Sequence, residues 1–360
     1  MDLEFRKKTI RDIDVKGRTV LVRVDYNVPM QGEKIVEDMR IQASLPTIQY
    51  LLDNGVGKIV LISHLGRPEG QVDARYSLMP CAKRLGELLP GRVVRFINET
   101  VGEHVKAAVA DLPAGGIILL ENLRFSPNEE VDSDAFAGEI VDSTGAEIFV
   151  QDGFAVIHRA HASTHAIAKR LPAVAGFLLE KEVSSLEKTL TDPESPVLVI
   201  IGGAKVEDKT PLIETFLPVA DQIMVGGKIA ADGYKSTNDK IYVAEDFVED
   251  EHGAKLDIGR KSAVHIAEAA IRAHTIIWNG TLGMVEEKAY EGGSLLVAKA
   301  IGHNEDAFSV IGGGDTAAYV QSVIAREPDL KYSLISTGGG ASLELLSGKK
   351  LPGLEILQDR

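Results

Sequence analysis

Cysteine is all but missing from this chain: Cys81 is the only one in 360 residues. One cysteine excludes an internal disulfide framework and a cysteine-based zinc site. It falls in Cys81-Ala82-Lys83-Arg84-Leu85, an amphipathic helical pattern that predicts a small core residue. Long apolar runs are missing too, and none approaches membrane-spanning length. The opening residues, Met1-Asp2-Leu3-Glu4-Phe5-Arg6-Lys7-Lys8, are charged and lack the apolar segment of a signal peptide, so a cytoplasmic protein is expected. Positive charge is in deficit, with 39 Lys and Arg against 53 Asp and Glu and a formal net charge of −14. That balance argues against nucleic acid or an anionic membrane as main partner. A small anionic substrate stays open, because a local group of arginines can dominate a site in an acidic protein. The chain shows no repeat of solenoid period and no low-complexity tract. It also has no P-loop (GxxxxGK before Ser or Thr) and no GxGxxG fingerprint, so the standard nucleotide folds are not indicated.

What is present is ordinary globular composition, 44% hydrophobic and 26% charged, in a chain too long for one hydrophobic core. Short β-branched apolar runs recur: Val20–Val24, Lys58–Ile62, Ile117–Leu120, Glu147–Val150, Val197–Ile201, Gln222–Val225, Thr275–Trp278, Ala307–Ile311 and Tyr332–Ile335. Between them lie stretches of helical periodicity such as Ile41–Leu52, Leu78–Leu89 and Ala263–Ala273. Strands apolar on both faces, alternating with helices, predict an α/β fold of two lobes, each a mostly parallel sheet covered on both sides. A break near Leu171-Pro172, a helical stretch towards Thr191 and the proline-rich Asp192-Pro193-Glu194-Ser195-Pro196 predict a bridging helix. The expected division is residues 1–172, a connecting helix at 173–193, residues 194–347, and a terminal segment at 348–360.

In open parallel sheets ligands bind beyond the carboxyl ends of the strands, and the two halves differ there. The first half carries Asp25-Tyr26-Asn27, Ser63-His64-Leu65-Gly66-Arg67-Pro68, Glu121-Asn122-Leu123-Arg124-Phe125, and Asp152-Gly153-Phe154 before His158-Arg159, with Arg40 ahead of a helix. Arginine's rigid fork of donors suits carboxylate and phosphate, and several converging forks suit a ligand with more than one anionic group. The second half carries glycine loops: Gly202-Gly203-Ala204-Lys205, Gly226-Gly227, Asn279-Gly280-Thr281, Gly312-Gly313-Gly314-Asp315-Thr316 and Thr337-Gly338-Gly339-Gly340. A helix that starts straight after such a loop aims free N–H groups at a phosphate. Lys205 and Lys209 add cations, and Asp315 is placed to meet a magnesium ion, directly or through water. The segment His158-Arg159-Ala160-His161-Ala162-Ser163-Thr164-His165 offers histidines at helical intervals. No carboxylate completes a metal set within it, and Arg159 is a poor neighbour for a cation, so anion contact or packing is favoured there.

Taken in order, these segments resemble phosphoglycerate kinase, from near Lys8 to near Gly353. The match runs through Arg23-Val24-Asp25-Tyr26-Asn27-Val28-Pro29, Ser63 to Pro68, Glu121 to Phe125, His158 to Ser163, Gly202 to Val206, Asp208-Lys209, Trp278-Asn279-Gly280, Gly312 to Thr316 and Ser336 to Ser342. The resemblance implies an N-terminal lobe for 3-phosphoglycerate or 1,3-bisphosphoglycerate, a C-terminal lobe for magnesium ADP or ATP, and a hinge that closes them. By position, Asp25, Tyr26, Asn27, Arg40, His64, Leu65, Gly66, Arg67, Arg124 and Arg159 are the implied acid-substrate contacts. Gly203, Ala204, Lys205, Lys209, Gly227, Asn279, Glu286, Gly313, Gly314, Asp315 and Thr316 are the implied nucleotide contacts, with Glu286 at the ribose and Asp315 at the metal. Arg40 and Lys205, with N–H groups of Gly314 and of Gly338 to Gly340 (Gly339 among them), are expected around the transferring phosphoryl. The terminal segment is expected to return to the first lobe, and the family is usually monomeric.

The chain is shorter than most members after Gly226-Gly227, where the family usually continues with a third glycine and contributes to the adenine pocket. Lys228 is a new cation there, Thr281 and Arg260 stand where proline is usual, and Gln151-Asp152-Gly153-Phe154-Ala155 replaces the usual Asn-Asp-Ala-Phe-Gly. None of the expected phosphate-handling residues is lost. The alternatives are a kinase of this type acting on another acidic metabolite, or a nucleotide-binding regulatory protein that has lost turnover.

Overall fold

The apolar runs become the centres of two parallel sheets. A computed structural model describes residues 5–203 and 206–360, with the backbone alone at 206–208. Ala204 and Lys205, both expected at the nucleotide phosphates, lie outside the described residues. The first sheet contains β1 (Thr19–Arg23), β2 (Lys58–Ile62), β3 (Val94–Ile97), β4 (Gly116–Leu120), β5 (Ile148–Gln151) and β6 (Ala173–Ala175). Its order is β3-β4-β2-β1-β5-β6, and each pairing is parallel. The second contains β7 (Val197–Ile201), β8 (Gln222–Val225), β9 (Ile241–Val243), β12 (Thr275–Asn279), β13 (Phe308–Gly312) and β14 (Leu334–Ile335), in the order β9-β8-β7-β12-β13-β14. It too is parallel throughout. Between β9 and β12 an antiparallel hairpin, β10 (Phe247–Glu249) with β11 (Lys255–Ile258), stands outside the sheet.

The second order is the doubly wound arrangement of dinucleotide-binding folds. This corrects the expectation from the missing fingerprints: the strand order forms without the GxGxxG spacing, because burial of both sheet faces, not the phosphate loop, sets the topology. In each sheet the order reverses at one crevice, between β1 and β5 in the first and between β7 and β12 in the second. Open sheets of this kind place ligands beyond the carboxyl ends of the strands around such crevices.

The strands are buried because both faces are covered. Gly116–Leu120, Val197–Ile201 and Thr275–Asn279 are buried at every position. One core gathers Val20, Val22, Ile59, Leu61, Ile117, Leu119 and Val150, with Cys81 packed fully buried among them. The other gathers Leu198, Ile200, Met224, Ile276, Trp278 and Ile311. Burial also pushes the Cys81 thiol up to about 12, so it behaves as a small apolar group.

The chain divides into two compact units inside the helix Phe177–Thr191. One unit runs to Val183 and takes in Lys350–Arg360, and the other is Ser184–Lys349. The terminal segment is held by backbone bonds, from Lys8 N to Gln358 O at 2.8 Å, Gln358 N to Ala173 O at 3.0 Å and Gly353 N to Ile157 O at 2.9 Å. The periodic stretch Ile41–Leu52 is two helices, Met39–Ala43 and Leu45–Asp53, because Pro46 has no N–H to continue the first. Among the described residues no helix is long and apolar enough to cross a membrane.

Candidate functional site

At the end of β1 the chain turns sharply, and the turn is made by its own polar side chains. Asp25, buried, accepts from Asn27 N at 3.1 Å and pairs with Arg40, whose side chain is about a quarter exposed. Tyr26 is fully buried, its hydroxyl 2.9 Å from Ser44 Oγ, so it supports the turn rather than facing a ligand. Asn27 Oδ1 takes the Gly66 N–H at 2.8 Å, and Gly66 O takes Arg124 Nη1 at 2.9 Å. Gly66 thus ties the ends of β1, β2 and β4 together. It has φ +62°, and a Cβ there would lie 2.3 Å from the Tyr76 ring, so only glycine fits. Leu65 is buried beneath it.

Arg124 is buried and Arg67 and Arg159 are exposed, yet both sit close enough to Arg124 to disfavour its charge. Burial lowers its basicity first, and Glu130 at 3.2 Å and Glu129 oppose that. Concentrated positive charge of this kind favours an anionic ligand at its exposed side.

Beneath these groups lies a network that sequence reasoning missed. Arg23, only 1% exposed, donates from Nε to Ser163 Oγ at 2.8 Å, and Ser163 Oγ donates to Glu129 Oε1 at 2.5 Å. Burial raises the Glu129 carboxyl and lowers the Arg23 guanidinium. Arg23 Nη2 lies 3.2 Å from His64 Nδ1. Arginine has no acceptor, so Nδ1 must accept and the His64 proton must sit on Nε2. His64 is held well below its ordinary value by burial first, then by Arg23, Arg124, Arg40 and His161. It is therefore a neutral imidazole with a fixed Nε2–H. The signal was a charged residue inside an otherwise apolar strand, Val20 to Val24, which must find a partner when buried.

The histidine segment serves the same network. His161 is buried and pushed down to about 4 by burial and then by Arg124, Arg23 and Arg159, while His165 Nδ1 lies 2.6 Å from Asp132. Among the described residues no group of three or more His, Cys, Asp or Glu is placed to hold a metal.

In the second unit the ends of β7 and β12 touch through glycine. Gly202 N donates to Asn279 O at 3.0 Å and Gly203 N to Thr281 O at 2.8 Å. A Cβ on Gly280, at φ +96°, would lie 2.1 Å from Gly202 O. Asn279 is 1% exposed, and its Oδ1 accepts from Lys209 Nζ. Its Nδ2 has no hydrogen-bond partner among the described residues, although it is buried. A buried N–H left over in this way points to an acceptor that a ligand brings. Beside it the Gly313 turn, at φ +88°, opens the helix Gly314–Arg326, with Asp315 exposed in its first turn. Thr316 is buried and fixes the loop instead, its Oγ1 accepting Gly280 N at 2.9 Å.

Gly203, Gly227, Thr281, Glu286 and Asp315 line one cavity of about 280 Å³, together with the β10–β11 hairpin. Its walls include Asp257, whose carboxyl burial pushes up to about 6 against hydrogen bonds from Gly293 N and Ile258 N. Gly339 has φ +43° and precedes the seven-residue helix Gly340–Leu346.

The family model of phosphoglycerate kinase matches residues 10–251 and 230–349. Those stretches overlap at residues 230–251, just beyond Gly226-Gly227. A phosphoglycerate kinase of Pelotomaculum thermopropionicum is 40% identical over 399 aligned residues, covering 98% of this chain and all of that protein. One of Dictyoglomus turgidum is also 40% identical, over 405 residues with the same shares. Both alignments are longer than the 360 residues here, so the relatives carry segments this chain lacks. Among solved structures, a phosphoglycerate kinase of Pyrococcus horikoshii has TM-score 0.85 and 30% identity, covering 97% of this chain and 98% of that one. One of Coxiella burnetii has TM-score 0.78 and 32% identity with the same coverage.

Proposed function

Because the chain belongs to the phosphoglycerate kinase family, we propose that its two strand-end clusters divide the substrates of that reaction between them. The enzyme moves a phosphoryl group reversibly between 1,3-bisphosphoglycerate and ADP, giving 3-phosphoglycerate and ATP. A β-phosphate oxygen of ADP forms the new bond to phosphorus as the bond from phosphorus to the acyl oxygen breaks. The attacking oxygen is already anionic and the leaving carboxylate is a stable anion. No general base is needed; alignment and charge neutralisation carry the rate.

In this reading Arg124, Arg67 and Arg159 hold the anionic ends of the three-carbon acid. Asn27, Gly66 and the His64 Nε2–H orient it. Arg40, anchored on Asp25, meets the acyl phosphate. Asn279 Nδ2, the first N–H groups of the helix Gly314–Arg326, Lys209 and Lys205 hold the nucleotide phosphates, and Glu286 faces the ribose. Asp315 meets the magnesium of the nucleotide complex, since a single carboxylate suffices when phosphates and water supply its other oxygens. Preorganised donors of this kind each contribute roughly 3–4 kcal/mol at the transition state. Both clusters are built within one chain, which supports a monomer, and both substrates are small and diffusible, which supports a cytoplasmic setting.

The observation that carries the division is the contrast between the arginine cluster around Gly66 and the unpaired Asn279 N–H at a strand end beside the start of the helix Gly314–Arg326. Equilibrium binding tests it. Arg124→Met is expected to weaken 3-phosphoglycerate at least tenfold and magnesium ADP less than twofold; Lys209→Met is expected to do the reverse. Equal losses for both ligands in either variant would refute the division.

A further inference from the structure

The nucleotide cavity has a wall that the phosphate-handling residues do not use. Gly203, Gly227 and Asp315 belong to the glycine loops, whereas Phe247, Leu256, Leu282 and Met284 form an apolar wall beside Lys255. Of the side chains that line the cavity, two are ammonium donors, Lys228 and Lys255. Lys228 is engaged with Asp232 at 2.7 Å. Lys255 meets no carboxylate among the described residues; its Nζ rests over the Phe247 ring, 4.5 Å from the centroid. Phe247 and Lys255 lie on facing strands of the β10–β11 hairpin, whose register shifts between Val248 and Glu249. Such a shift re-aims side chains at a strand edge. The result is an aromatic face, half-buried in the cavity lining, with the exposed Lys255 cation at its rim.

An ammonium can only donate. Every purine offers it N7. A purine with a carbonyl at position 6 offers a second acceptor beside N7, while adenine presents an amino group there and meets the ammonium donor to donor. Resting on the nucleotide reading above, we propose that Lys255 makes this pocket select 6-oxopurine nucleotides, those of hypoxanthine and guanine, over adenine nucleotides. The ring of Phe247 supplies stacking that any purine accepts, and Lys255 supplies the discrimination.

The test is the ratio of affinities for magnesium IDP and magnesium ADP, by calorimetry on the full chain. IDP differs from ADP at the 6-position without adding the 2-amino group of guanine. The wild-type protein is expected to bind IDP at least as tightly as ADP. Lys255→Met, which keeps the stem on Phe247, is expected to lower the IDP to ADP affinity ratio about tenfold, and Lys255→Arg to retain it. A wild-type preference for ADP, or a ratio that does not move in Lys255→Met, overturns the proposal. Turnover with 3-phosphoglycerate is followed separately. Binding without turnover of either nucleotide would count against the kinase reading, while the affinity ratio still decides the role of Lys255.

Discussion

Asp152 shows how much one side chain can carry. It follows β5, is fully buried, and accepts Leu178 N at 2.9 Å and Leu179 N at 3.4 Å, so it fixes the start of the helix Phe177–Thr191. Gly176 has to be glycine, because a Cβ would lie 2.2 Å from Asp152 Oδ1. Burial pushes the carboxyl up to about 7 against those hydrogen bonds. A carboxyl raised above its unfolded value of 3.8 is protonated in the fold and ionised when unfolded throughout that interval. Its contribution is therefore full below pH 4 and is lost as pH rises to about 7. Asp152→Asn keeps the accepting oxygen and removes the titration. Relative to wild type it is expected to gain stability between pH 4 and pH 8, by up to about 4 kcal/mol, in denaturant titrations. A difference that stays constant across pH would contradict this. At this scale the candidate residues Arg40, Arg67, Arg124 and His64 were legible in the sequence, since all follow or flank apolar runs. It did not display Arg23, Ser163 and Glu129 as one network, because a one-dimensional pattern does not say which distant polar residues meet beneath a strand end.

The glycine loops act as elements, not as flexible links. Where β7 and β12 meet, Gly280 lies so close to Gly202 that any side chain would separate the two strand ends. Gly280→Ala combines a clash with backbone and a positive φ, and is expected to cost about 2–4 kcal/mol in denaturant unfolding. At Gly314 a Cβ would meet nothing within 4 Å, and Gly314→Ala is expected to stay within about 1 kcal/mol of wild type. Equal costs at the two positions would show that close approach is not what the loops are for. The five loops were legible because each follows an apolar run, and all but Asn279-Gly280-Thr281 lead within a few residues into a helix. Of the sheet strands that escaped notice, Val94–Ile97 and Ile241–Val243 lie at sheet edges with half-buried faces, so neither continuous burial nor strict alternation marks them. The three-residue Ala173–Ala175, within the stretch expected as the connecting helix, is too short to show a period.

Across the whole molecule, two sheets of similar size differ at their carboxyl ends: clustered cationic forks in one, and glycine turns with the start of the helix Gly314–Arg326 in the other. A net charge of −14 surrounds them, so the cationic cluster is a local feature that composition alone conceals. The two-sheet architecture was readable from the alternation of buried strands and helices. The doubly wound order of the second sheet was not, because pairing order depends on which strands meet across long connections. Nor was the hairpin wall of the cavity in the second unit, which only the folded course of residues 247–258 reveals.

The most direct test of the account is a steady-state assay with 3-phosphoglycerate and saturating magnesium nucleotide, ATP or ITP, on wild type and Arg40→Met. Wild type is expected to form ADP or IDP at enzymatic rates. Arg40→Met is expected to stay folded, to bind nucleotide within twofold of wild type, and to lose at least about 100-fold in kcat. A folded, nucleotide-binding wild-type protein without turnover, or an Arg40→Met variant of near-normal kcat, would contradict the account.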